Sequence, residues 1–146
     1  MDKRTRVLNA MNKKEVDHVP VGFWFHFGGT EAAGDACVEA HLKYYRETDL
    51  DFVKIMCDGY FNYPLPEIKK GEDWRNVKPM SAQDPFIREQ VERAKAIVKA
   101  IGKERCVFYN VFAPFSSLRF GADAIGIPDA EVMKYIREDK NSVMAA

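Results

Sequence analysis

Two side chains of this sequence stand where chemistry could be done. Asp58 closes the apolar run Phe52-Val-Lys-Ile-Met-Cys57 and is followed by Gly59, which lets backbone or ligand approach closely. A carboxylate in that place can hold the N–H groups of a ligand or shuttle a proton. It can equally serve turn geometry, since Asp-Gly is a common turn pair. His26 follows Phe23-Trp-Phe25 and precedes Phe27 and the Gly28-Gly29 loop. An imidazole emerging at a strand end can act as base, acid or metal ligand, or it can sit hydrogen-bonded among the aromatic rings. No cluster of His, Cys or Glu accompanies it at ligand spacing, so no metal is assigned.

Lys54 interrupts the same apolar run as Asp58, and on strand alternation Lys54, Met56 and Asp58 share one face. A buried lysine can transfer protons through a lowered pKa or meet a substrate; the alternative is a structural ion pair. Arg119 follows the third apolar run and is placed either to meet an anionic substrate group or to remain a solvated loop arginine. Phe61, Tyr63 and Trp74, in a long irregular stretch, can line a pocket or pack their own loop.

The elements that must position these residues alternate. Residues 3–12 read as a short helix with Val7, Leu8 and Met11 on one face. Val19–Phe27 reads as a first strand. Asp35 is placed to cap a helix running to Thr48, with Val38, Leu42 and Tyr45 inward. Residues 51–57 read as a second strand. The stretch from Tyr60 to Pro85 holds four prolines, Pro64, Pro66, Pro79 and Pro85, and a connection so long is usually functional or disordered. Ile87–Ile101 carries Ile87, Val91, Ala94, Val98 and Ile101 at helical spacing, with Gly102 as the terminating residue. Residues 106–112 read as a third, nearly continuous apolar strand. A turn and short helix follow through Gly121, and Pro128–Arg137 reads as a further helix with Val132, Met133 and Ile136 inward. Strands separated by helices point to βα units with a parallel sheet.

The 146 residues carry 22 basic and 22 acidic side chains, so net charge is zero and nothing resembles the basic balance of a nucleic-acid binder. No apolar run reaches the roughly 20 residues of a membrane span, and the N-terminus lacks the apolar core of a signal peptide. The three cysteines, Cys37, Cys57 and Cys106, show no C-x-x-C spacing and fit free thiols. A soluble cytoplasmic protein with a small-molecule substrate, and neither nucleic-acid nor membrane partners, is the expectation.

The opening, from Arg6 through the charged turn and Asp17 to Val19-Pro-Val21 and Phe23-Trp-Phe-His-Phe27, resembles the start of the uroporphyrinogen decarboxylase family. Asp51-Phe-Val-Lys-Ile-Met-Cys-Asp58 resembles that family's second strand, with Asp58 falling on its substrate-binding aspartate. Phe112-Ala-Pro-Phe-Ser-Ser-Leu-Arg-Phe-Gly121 resembles the segment after the third strand, where the family's functional tyrosine falls on Phe120. The resemblance implies an α/β fold, the N-terminal part of a (β/α)8 TIM barrel, with residues 1–146 as a single incomplete domain, roughly half of the usual length. It implies decarboxylation of a tetrapyrrole-type or carboxylated substrate; together with the positions read above, this makes Asp58 and His26 the catalytic candidates and Lys54, Arg119 and Phe120 the substrate-binding ones. Phe23–Gly29 holds no arginine where the decarboxylases carry substrate-holding arginines. A corrinoid-dependent methyltransferase of the same superfamily is therefore the alternative, its zinc or corrinoid held through residues beyond Ala146; otherwise no cofactor is evident. An inactive or binding-only fragment is the third reading. Open sheet edges left by half a barrel imply a homo-oligomer.

Overall fold

The helical periodicities of the sequence are realised almost in place, whereas much of its strand character is not. The computed structural model describes residues 1–60 and 63–146. Helices take 53 % of the described residues: the α-helices α1 Lys3–Met11, α2 Gly34–Glu47, α3 Pro85–Ile101, α4 Pro114–Ala124, α5 Asp129–Glu138 and α6 Lys140–Met144, with 3-10 turns at Gly29–Ala32 and Gly71–Asn76. Among the described residues the two strands are β1, Phe52–Ile55, and β2, Cys106–Tyr109; they pair in parallel, with Phe52 opposite Cys106 and Ile55 opposite Tyr109. This corrects the expected fold class. The chain is mostly helical with one short parallel pair, not part of a (β/α)8 barrel of alternating strands and helices.

The reason lies in where the Val19–Phe27 backbone sends its hydrogen bonds. The segment is extended, but its groups meet side chains and a loop instead of a strand ladder. Val21 accepts from the Asp51 N–H at 2.9 Å and donates to the Asp51 carboxylate at 2.8 Å. The Tyr45 hydroxyl lies 3.2 Å from the Phe23 carbonyl and 2.9 Å from that of Lys54, and it accepts from the Lys54 N–H at 2.8 Å. The next outward N–H of this chain, that of Met56, donates to His41 Nε2 at 3.3 Å. Two side chains of α2 thus stand along β1 where a neighbouring strand's backbone would be. Gly22 allows this crowding, because the Phe52 ring lies 2.1 Å from where a Cβ would sit.

Burial pushes the Tyr45 phenol up to about 12, so it stays protonated at neutral pH. Replacing Tyr45 by phenylalanine leaves the partly buried Lys54 amide without its acceptor. The expected cost is about 1–3 kcal/mol, read by urea or thermal denaturation; an unchanged midpoint would show that the edge is satisfied otherwise.

The chain divides into two compact units. The first comprises Met1–Gly59 and Pro85–Val111. Its core is Val38, Leu42 and Tyr45 of α2, Val53 and Ile55 of β1, and Ile97 and Ile101 of α3. α3 is turned relative to the stripe expected from its periodicity: Arg93, Ile97 and Ile101 are buried, while Val91 and Val98 are exposed. α1 buries Val7 but exposes Leu8 and Met11, and it is held by charge. Arg6 grips Asp17 through Nε and Nη2 at 2.7 and 2.9 Å and Asp51 through Nη1.

The second unit comprises Tyr60–Asp84 and Phe112–Ala146. Its core is Ile68, Trp74, Val77, Ala122, Val132, Tyr135 and Val143. Trp74 is buried in this core and Tyr63 packs against it; Phe61 lies outside the described residues. Of the stripe expected on α5, Val132 is buried and Met133 is exposed, with Tyr135 taking the inner place. Among the described residues no helix is long and apolar enough to cross a membrane.

Candidate functional site

The first unit brings His26 and Asp58 into direct contact. Asp58 lies three residues past β1, and His26 lies on the extended segment; His26 Nδ1 is 2.7 Å from Asp58 Oδ1. The other carboxylate oxygen accepts from the Phe27 N–H at 3.1 Å. A carboxylate can only accept, so Nδ1 carries the proton and Nε2 is the basic nitrogen. The imidazole side chain is 67 % exposed while Asp58 is 10 % exposed, so a buried acid presents a basic nitrogen to solvent. Such a pair can take up or deliver a proton, with the aspartate fixing the tautomer.

Behind Asp58 stands a buried polar cluster that no local pattern in the sequence marks. Arg93 donates from Nη1 to the Asp58 carbonyl at 3.2 Å and to Cys37 Sγ at 3.5 Å, and from Nη2 to the Tyr109 hydroxyl at 3.1 Å. Tyr109 in turn donates to Gln90 at 2.8 Å. Gly59 has φ +75°, and the Ala32 carbonyl oxygen lies 2.7 Å from where its Cβ would be, so the turn after Asp58 requires glycine. His41 donates from Nδ1 to the Cys37 carbonyl at 2.7 Å and accepts at Nε2. Burial holds its pKa below the usual value, so it is a neutral structural histidine. Burial also pushes the Cys37 and Cys57 thiols up, which leaves them poor nucleophiles. A signal for His41 existed in the sequence: it lies four residues after Cys37, on the inner stripe of α2.

The remaining candidates fall elsewhere. Lys54 lies on β1 with its ammonium 3.6 Å from the centroid of the Trp24 ring, and among the described residues no carboxylate is within ion-pair distance of it. The structural ion pair weighed for it is replaced by a cation–π contact. Arg119 and Phe120 belong to the second unit. Arg119 grips both oxygens of Asp129 at the start of α5, with Nε at 2.8 Å, so its guanidinium is engaged in an exposed ion pair. The Phe120 ring meets Phe112 edge to face at 4.9 Å. Among the described residues no group of three His, Cys, Asp or Glu side chains could hold a metal ion. Compared with known proteins, the chain matches no family model, no curated protein and no solved structure.

Proposed function

We propose that this chain is a uroporphyrinogen decarboxylase-like protein acting on a carboxylated small molecule, with His26 and Asp58 as its proton-transfer pair. The observation that carries this reading is the 2.7 Å contact between a largely exposed imidazole and a buried carboxylate that also holds the Phe27 amide. Decarboxylation breaks a carbon–carbon bond, releases CO2 and leaves the electron pair on carbon, where a proton must arrive. A doubly protonated His26 supplies that proton from Nε2, and Asp58 stabilises the cation before transfer. Methyl transfer is the second reading, favoured by the lack of arginine between Phe23 and Gly29.

The test is an anaerobic incubation with uroporphyrinogen, following CO2 and products with fewer carboxyl groups. Turnover that depends on His26 supports the reading. Methyl transfer from methylcobalamin to a thiol, without CO2 release, would replace it with the second. Neither activity would leave a binding-only protein.

The reading includes self-association. Among the described residues no strand pairs with the outer edge of β2, and Val91 and Val98 of α3 are 44 % and 49 % exposed beside Ile87 in an apolar groove. A second copy is the occupant that an open edge beside apolar surface invites. Light scattering at micromolar concentration is expected to give a mass above the 16.7 kDa of one chain; a stable monomer would remove this part of the proposal.

A further inference from the structure

The face of β1 and β2 that carries Phe52, Lys54 and Phe108 is not covered by the first unit's core, which packs on the opposite face through Val53 and Ile55. Between this open face and α1 runs a groove of about 660 Å³, within the usual span for small-molecule sites. Its walls are apolar: Val7 and Met11 from α1, Phe52 and Phe108 from the strands, Val111 beyond β2. The Phe52 and Phe108 rings meet edge to face at 5.3 Å. Much of the wall is wet, with Met11 64 %, Phe108 37 % and Val111 79 % exposed.

Among the described residues, Lys54 is the single charged side chain of the lining, and no aspartate or glutamate lines the groove. Its cross-strand neighbour is Phe108 and its ammonium rests on the Trp24 ring. A π face leaves the three ammonium N–H donors without an anionic acceptor. Apolar walls, aromatic edges and one unneutralised cation together define the complement they lack.

We infer that this groove binds a flat, aromatic molecule carrying one carboxylate, the ring lying along Phe52 and Phe108 and the carboxylate meeting Lys54 Nζ. The inference goes beyond the reading proposed above: it names a ligand for this groove, whose lining includes neither His26 nor Asp58, and does not require that ligand to be their substrate. A single cation selects a single carboxylate. Rings of modest size fit the volume, and binding would cover the exposed apolar wall. Lys54 is a lysine and not an arginine, so it offers a point charge, and one oxygen of the carboxylate is held more tightly than the other.

The chain has two tryptophans, which makes the experiment direct. 4-Biphenylcarboxylate is titrated into the full chain while the indole N–H resonances of Trp24 and Trp74 are followed, with 4-biphenylmethanol as the uncharged control. Saturable movement of the Trp24 resonance is expected with the carboxylate. Lys54→Met is expected to weaken carboxylate binding on the order of ten- to a hundred-fold, the size of a lost charge-assisted hydrogen bond. The alcohol should bind weakly and alike to both chains. Should Lys54→Met fail to fold, Val111→Glu puts a carboxylate at the exposed wall and is expected to weaken the acid several-fold while sparing the alcohol. Equal affinity for acid and alcohol, unaltered binding in both variants, or no Trp24 shift at millimolar ligand would overturn the inference. A Trp24 shift that tracks protein concentration without ligand would also overturn it, placing a second copy in the groove. His26→Ala separates the two readings: carboxylate binding kept without turnover leaves the groove standing whatever becomes of the proton-transfer pair.

Discussion

Replacing Asp58 by asparagine is expected to invert the tautomer of His26 and to lower turnover by about 10²–10⁴. The present arrangement gives Asp58 Oδ1 to the imidazole and Oδ2 to the Phe27 amide, and both are acceptor contacts. An asparagine has one oxygen and one NH2. The Phe27 N–H claims the oxygen, which turns the NH2 toward His26 Nδ1. That nitrogen must then accept, so the ring proton moves to Nε2 and the outward nitrogen ceases to be a base. Stability should change little, because the imidazole is mostly in water and an exposed contact of this kind contributes at most about 1 kcal/mol. Long-range proton–nitrogen correlation spectra read the tautomer without any substrate. If the variant keeps Nδ1–H and full turnover, Asp58 has no part in the mechanism.

The largest effect on stability is expected from Arg6→Met. Arg6 is buried between Asp17 and the buried Asp51, and its hydrogen bond to Asp17 holds that carboxyl far below the usual range. Burial alone would raise Asp51, but the Val21 amide and Arg6 outweigh it and hold it low as well. Depressed folded values mean stability that is present above the unfolded pKa, about 3.9, and lost as pH falls through the folded values. The wild-type chain should therefore hold its Tm from neutrality down to about pH 5 and lose it below.

Without the guanidinium, Asp51 stays buried with the Val21 N–H, with His18 Nε2 3.7 Å away and with the more distant charge of Lys3, and its folded pKa rises. The variant should be much weaker than Tyr45→Phe at pH 7. Its deficit against wild type should shrink toward pH 4, because protonation relieves the uncompensated charge. The Trp24 indole N–H resonance, which reports on the first unit, follows both curves. A constant gap between the two proteins from pH 7 to pH 4 would mean that Arg6 acts through its methylene packing alone.

The helices were legible in the sequence because an amphipathic stripe is a local pattern, readable without knowing what it packs against. α2 is the clear case, with Val38, Leu42 and Tyr45 inward as their spacing implies. α3 shows the limit: two stripes share Ile101, and the true one runs through Arg93, a residue whose charge disguises its burial. Val19–Phe27 looked like a strand since apolar continuity marks extended chain, but it cannot say whether the hydrogen-bonding partner is a strand or the side chains of Tyr45 and Asp51. That misreading carried the barrel expectation with it. His26 and Asp58 were legible as candidates because each stands at the end of an apolar run, Asp58 directly before Gly59 and His26 one residue before the Gly28-Gly29 loop. Their backing by Arg93, Cys37 and Tyr109 was not, because those contacts join segments far apart in the chain.

The parallel pairing of β1 with β2 also sets an order of events during synthesis. Phe52 cannot find Cys106 until all of α3 has left the ribosome. At roughly 5–20 residues per second, β1 waits for seconds with its inner edge open. The aromatic run Phe23–Phe25 is already out by then and gains no strand partner afterwards. A nascent chain stalled before Cys106 lacks the β1–β2 pairing altogether. Completion of the first unit is thus a late, single step, timed by the arrival of four residues.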